Sequence, residues 1–159
     1  MNDLPDGWLT KHEAEQLSIL ADGLTVLELG AWKGRSTVAL ARTAAYVVSI
    51  DRHEGIVGHG DSLQEYLLNV FGLPNVAVVV ADWTTLGRHL GDFDMVYIDG
   101  DHDRASVERD IDIAVARHPS LVVFHDWDFP EVQQAARAAL DEWAEDDPGE
   151  FGGIGWYRL

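Results

Sequence analysis

The chain has 159 residues, 47% of them hydrophobic and 25% charged, which is the composition of a folded domain long enough to bury one core. It contains no cysteine, so disulfide scaffolding, thiolate metal centres and cysteine nucleophiles are excluded together. Against 28 acidic residues stand 11 Lys and Arg, a formal charge of −17, and such a field repels nucleic acid and anionic membranes as partners.

Met1 to Asp6 offers neither a basic start nor an apolar run. No stretch approaches the roughly 20 apolar residues that span a bilayer, so the expectation is an unexported, cytoplasmic, single domain over 1–159. Thr10 and Glu13 have the spacing of a capping box, and Ala14, Leu17 and Leu20 continue as one apolar face, predicting an N-terminal helix over about 10–21. Strands are predicted at Thr25–Leu29, Tyr46–Ile50, Val76–Val80, Met95–Ile98 and Leu121–Phe124, with a last one at Ile154–Leu159. Between them, Asp61 and Gln64 repeat the capping-box spacing before a helix reaching Val70. Asp103–Arg117 carries Val107, Ile111, Ala114 and Val115 at helical spacing, and Pro130 opens a helix to about Trp143. The acidic segment Ala144–Glu150 reads as a surface loop. Strands alternating with helices predict an α/β protein with a mostly parallel sheet of six to seven strands and helices on both faces.

The first strand runs directly into Glu28-x-Gly30-x-x-x-Gly34, and Arg35-Ser36-Thr37 then opens a helix. Glycines at a strand-to-helix turn permit positive φ and let a ligand lie against bare backbone, and amides at the helix start would face a ligand carboxylate. Ala31-Trp32 fills the space that a second pyrophosphate glycine would need, so a dinucleotide fits poorly. Asp51 ends the second strand, where an acid can accept from both hydroxyls of a ribose. Asp82-Trp83 follows the third strand and offers an acceptor for an adenine amino group and a ring for its face. Singly, Gly30 also reads as a turn, Asp51 as a cap and Asp82 as a solvated acid. Their succession after three strands points to the ligand crevice beyond the carboxyl ends of a parallel sheet.

With these residues in register, the sequence resembles the Rossmann-like class I S-adenosylmethionine-dependent methyltransferases over nearly its whole length. The resemblance implies a transferase (EC 2.1.1.-) with S-adenosyl-L-methionine contacted by Glu28, Gly30, Ala31, Trp32, Gly34 and Ser36, by Asp51 and Arg52, by Asp82 and Trp83, and by Asp99.

The fourth strand runs into Asp99-Gly100-Asp101-His102 and the fifth into His125-Asp126-Trp127. Methyl transfer to a hydroxyl needs the nucleophile in line and either a base to remove its proton or a Lewis acid to lower its pKa. Histidine suits the first role, and Asp99 with Asp126 can offer oxygen ligands to a hard cation such as Mg²⁺. The pattern resembles the metal-dependent O-methyltransferases acting on sugars of natural products, macrocin O-methyltransferase-like proteins among them. That resemblance implies Asp99 as a metal ligand and His102 as general base. Those relatives carry Asp-Asp or Asp-Asn where this chain has His125-Asp126, and a nitrogen ligand from His125 shifts the preference from Mg²⁺ toward Mn²⁺, Fe²⁺ or Zn²⁺. The expected metal set is Asp99, His125 and Asp126, with Mg or Mn as the ion.

Only a short segment precedes the first strand, so this is a minimal version of the fold whose substrate pocket is open or is completed by Gly55–Gly60 and a neighbouring subunit of a homo-oligomer. Trp127 and Phe129 read either as substrate walls or as core aromatics. The expected function is O-methylation of a small hydroxylated molecule, a sugar, phenol or natural product. The alternatives are a catalytically silent S-adenosylmethionine-binding protein and a cofactor-independent hydrolase or phosphotransfer enzyme, the last lacking both a Gly-x-Ser-x-Gly elbow and a Walker loop.

Overall fold

The computed structural model describes residues 4–54, 60–86 and 89–159. In chain order the elements are α1 (Lys11–Leu20), β1 (Thr25–Leu29), α2 (Arg35–Ala41), β2 (Tyr46–Asp51), α3 (Leu63–Val70), β3 (Val76–Val80) and α4 (Trp83–Leu86). They continue with β4 (Met95–Ile98), α5 (Arg104–Val115), β5 (Leu121–Phe124), α6 (Pro130–Leu140), β6 (Gly149–Phe151) and β7 (Ile154–Arg158). The strands form one seven-stranded sheet in the order β3-β2-β1-β4-β5-β7-β6. Strands β1 to β5 are parallel, while β7 pairs antiparallel with both β5 and β6.

The central strands are buried on both sides, and their alternation divides the core into two layers. Val26, Val47, Met95, Tyr97, Leu121 and Val123 pack with Leu17 of α1 and Ala39 and Leu40 of α2. Leu27, Leu29, Val96, Ile98, Val122 and Phe124 face the other way, onto Val107 and Ile111 of α5 and Val132, Ala136 and Leu140 of α6. This two-residue period is what pleating imposes on a strand covered on both faces.

Capping decides several boundaries. Thr10 and Glu13 form the expected box, with the Glu13 side chain accepting from the Thr10 amide at 2.7 Å. The second expected box is not made: Ser62 is the N-cap of α3, and Asp61 instead accepts from the Leu63 amide at 2.8 Å, a bond across only two residues. Asp103 caps α5 rather than belonging to it, and α5 stops at Val115. Helix α6 stops at Leu140, short of Trp143, where Asp141 accepts from the Tyr157 hydroxyl at 2.8 Å and the chain turns back toward the sheet. The segment expected to be loop through Glu150 therefore contributes Gly149 and Glu150 to edge strand β6, where Gly149 leaves room for the Trp156 ring. Among the described residues no helix is long and apolar enough to cross a membrane. The proposed loop closure by Gly55–Gly60 falls, but for Gly60, outside the described residues.

Candidate active site

At the carboxyl ends of β1, β2, β4 and β5 lies a cavity of about 280 Å³. It is where an open parallel sheet places ligands, because loops at that end splay apart on either side of β1. Gly30, Ala31, Trp32 and Ser36 of the β1–α2 turn line it, as do Asp51, Arg52, Trp83, Asp99, His102, His125 and Asp126.

Gly30 has φ +90, and a Cβ there would lie 2.2 Å from the Asp99 carbonyl oxygen, so only glycine lets the β1 turn pack directly on the β4 loop. The turn is held from the next strand over. Asp51 Oδ2 accepts from the amides of Ala31 at 2.7 Å and Trp32 at 2.8 Å, and its Oδ1 accepts from the His53 amide at 2.6 Å. Two of these donors sit in the left-handed region, Trp32 at φ +43 and His53 at φ +56, a conformation costing on the order of 1 kcal/mol or more each for non-glycine residues. The carboxylate offsets that cost with charge-assisted bonds.

At the other end, side chains hold one another. Tyr97 donates its hydroxyl to Asp99 Oδ2 at 3.1 Å. Asp99 Oδ1 lies 3.2 Å from His125 Nδ1, which lies 2.9 Å from Asp126 Oδ2, and that oxygen is 2.7 Å from His102 Nε2. Asp126 is also left-handed, at φ +51, which turns its side chain back toward both imidazoles. Burial works against a charged His125, yet the carboxylates of Asp99 and Asp126 outweigh it and push its pKa up to about 11. Burial also works against an ionised Asp126, but hydrogen bonds from His102 and His125 hold it well below the usual carboxylate range. The bond to Asp126 raises the pKa of His102, which keeps 42% of its side chain exposed. Asp99, His125 and Asp126 each offer one ligand atom, and the three atoms lie within 4.8 Å of one another.

Three expected contacts lie outside the cavity wall. Glu28 is wholly buried on the α2 side of the sheet, where its Oε2 accepts from Thr37 Oγ1 at 2.6 Å, and burial pushes its pKa up to about 7. Gly34, at φ +85, starts α2 beneath the ring of Tyr66. Asp82 caps α4, its Oδ1 accepting from the amide and hydroxyl of Thr84 at 2.9 and 2.6 Å. Trp127 is a core residue packed on Gly155, whereas Phe129 stays at the surface with its ring 5.0 Å from that of His102.

Part of the wall comes from residues outside the motifs. The Arg35 guanidinium donates to the carbonyls of Pro5 and Leu9, drawing Gly7, Trp8 and Leu9 over the turn, and Trp8 stacks on Trp32 at 4.2 Å between centroids. Arg35 directly follows Gly34 and could have been found there; nothing in the pattern around Trp8 marks it. His53 was also missed. It is buried, with Nδ1 at 3.0 Å from the Ser62 hydroxyl.

The sheet order, the glycine turn and the position of the cavity define the Rossmann-like fold of class I methyltransferases. A family model described as a methyltransferase domain matches residues 27–127, from β1 through the His125-Asp126 pair, and the chain belongs to that family. No curated protein matches the sequence significantly. Among solved structures, a precorrin 8W decarboxylase from Methanobacterium thermoautotrophicum is similar at a TM-score of 0.75 and 14% identity, over 97% of this chain and 93% of that one. An O-methyltransferase from Bacillus cereus in complex with S-adenosylhomocysteine is similar at 0.71 and 16%, over 98% and 84%. The O-methyltransferase of tomaymycin synthesis from Streptomyces achromogenes, in complex with S-adenosylmethionine, is similar at 0.70 and 17%, over 98% and 82%. At these identities the likeness is one of fold.

Proposed function

We propose that the chain is an S-adenosylmethionine-dependent O-methyltransferase for a small hydroxylated molecule, with His102 as its general base. The observation that carries this reading is the contact of His102 Nε2 with Asp126 Oδ2 at 2.7 Å on the wall of the same cavity that the glycine turn lines. An ionised Asp126 can only accept, so Nε2 carries the proton and Nδ1 is left as the basic nitrogen. Asp126 thereby orients the ring and stabilises the imidazolium formed when His102 takes the substrate's hydroxyl proton. Bound S-adenosylmethionine would supply an electrophilic methyl carbon, whose bond to sulfur would break as the substrate oxygen bonds to it and S-adenosylhomocysteine leaves, and the cavity would contribute by holding both reactants in line.

Toward the cofactor, Asp51 has used three of its roughly four acceptor positions on amides, which leaves capacity for one ribose hydroxyl rather than both while the turn stays closed. The two solved O-methyltransferases named above hold S-adenosylhomocysteine and S-adenosylmethionine, which supports the same cofactor here.

The donor set also fits a divalent ion. Once His125 gives up its Nδ1 proton, one ligand atom each from Asp99, His125 and Asp126 lies within 4.8 Å of the others, and two carboxylates with one imidazole suit Mn²⁺ better than Mg²⁺. Asp99, His125 and Asp126 would hold it, and it would supply Lewis-acid activation of the substrate oxygen.

The test is transfer of a labelled methyl group from S-adenosylmethionine to a panel of phenols, sugars and hydroxylated natural products. Chelator treatment should lower the turnover found by about 10-fold or more, with Mn²⁺ or Mg²⁺ restoring it. Full turnover after chelation would remove the ion from this reading, and failure to bind S-adenosylmethionine in calorimetry would end it.

A further inference from the structure

Helix α5 presents Val107, Asp110, Ile111 and Ala114 to the core, and among these apolar residues Asp110 is a carboxylate with 1% of its surface exposed. Its Oδ1 accepts from the Trp83 indole N–H at 2.8 Å. Its Oδ2 is buried with no hydrogen-bond partner among the described residues and would lie 3.1 Å from a Cβ placed on Gly100. Burial pushes the Asp110 pKa up to about 6, partly countered by the indole donor and by Arg109. An apolar residue at such a position costs less than a half-satisfied acid, so stability does not account for it.

The surroundings connect Asp110 to the cavity. Trp83 and Gly100 both line it. Trp83 stands at the start of α4, a helix of four residues, which is too short to fix a large side chain by itself. The ring packs on Gly100 so closely that a Cβ there would meet Trp83 Cζ2 at 3.0 Å. Gly100 is not among the glycines with positive φ, so what this position requires of glycine is room for the indole and the carboxylate.

We propose that Asp110 is a positioning residue for the cofactor: its carboxylate locks the Trp83 indole against Gly100, making the ring a fixed wall for the nucleoside. The inference rests on the cavity being an S-adenosylmethionine site. Three elements that are distant in sequence then act as one unit, the β3–α4 junction, the β4 loop and the middle of α5. Without the indole acceptor the ring loses its orientation, and part of the binding energy goes into ordering it again.

The test is calorimetric titration of S-adenosylhomocysteine into the wild type, Asp110→Asn, Asp110→Ala, Trp83→Phe and the double variant Asp110→Ala/Trp83→Phe, each with its thermal unfolding curve. Asp110→Ala and Trp83→Phe should each weaken binding about 10-fold, and the double variant should bind no more weakly than either, because both remove one shared interaction. Asn retains an oxygen that accepts the same indole N–H, so Asp110→Asn should stay within about 3-fold of wild type. The proposal is overturned by an Asp110→Ala protein that binds as tightly as wild type, by an Asn variant as weak as the Ala variant, or by losses that add in the double variant. Should Asp110→Ala not fold, Trp83→Phe decides: undiminished binding overturns the proposal. A wild-type protein that does not bind S-adenosylhomocysteine overturns the cofactor reading itself, whereas wild-type binding with an unmoved Asp110→Ala overturns only the role of Asp110.

Discussion

At the β1 end of the cavity one carboxylate holds backbone, and at the β4–β5 end two carboxylates hold imidazoles. Asp51 fixes the turn through the amides of Ala31, Trp32 and His53, groups that carry no titratable proton. Asp99 and Asp126 instead fix His125 and His102, groups whose protons move. A site that must bind one molecule and react with another has reason to be built this way. Backbone held by a carboxylate gives a fixed shape, and a chain of side chains gives adjustable basicity. The two ends meet at Gly30, which packs on the Asp99 carbonyl, so neither can shift without the other.

The largest expected effect tests whether the two ends divide the labour. His102→Ala should lower methyl transfer by about 10²- to 10⁴-fold, the range for loss of a general base. Affinity for S-adenosylhomocysteine, measured by calorimetry on the same protein, should change by less than about 3-fold, because the amides and acids of the β1 end are untouched. Turnover that survives the substitution would take His102 out of the mechanism, and a matching fall in cofactor affinity would erase the division between the ends.

Gly30→Ala attacks the junction. The new Cβ would lie 2.2 Å from backbone oxygen at φ +90, so both the steric clash and the left-handed backbone act against it. A destabilisation of about 3 kcal/mol or more is expected in urea unfolding, together with loss of cofactor binding and of turnover. Were only one of those two functions lost, the ends would be less tightly joined than the packing indicates.

The same contrast explains what could be read before the structure. Glycines at a strand-to-helix turn and an acid at the next strand end are local patterns, so the β1 turn and Asp51 were legible, as were the strands whose apolar runs reflect burial on both faces. The Asp99-His102 and His125-Asp126 groups were legible as polar clusters at strand ends. Their linkage through one Asp126 oxygen was not, because it depends on β4 and β5 being neighbours and on the left-handed backbone of Asp126. At Asp82 the strand-end position that suggests an acid for adenine does not show that Thr84 also supplies two donors at bonding distance, which makes the residue a helix cap as well. Trp8 reaches the cavity through Arg35 and a ring stack, contacts between segments that no periodicity encodes.

The smallest effect concerns Glu28, the acid of the glycine motif, which is buried away from the cavity. Its pKa rises from the ordinary 4.5 to about 7 because burial disfavours its charge, with Asp99 adding repulsion and the hydroxyls of Ser36, Ser49 and Thr37 acting the other way. A carboxyl raised in the folded state contributes stability that is fully present below pH 4.5 and lost as the pH climbs through about 7. From this group alone the wild type should lose on the order of 3 kcal/mol or less between pH 5 and pH 8. Glu28→Gln keeps an oxygen for the Thr37 hydroxyl and cannot ionise, so its stability relative to wild type should improve over that interval. Urea unfolding of both proteins at the two pH values reads the change directly, since every other titrating group is common to both. An equal difference at pH 5 and pH 8 would mean that Glu28 stays ionised throughout, and the β1 end would then rest on a buried charge as the β4–β5 end does.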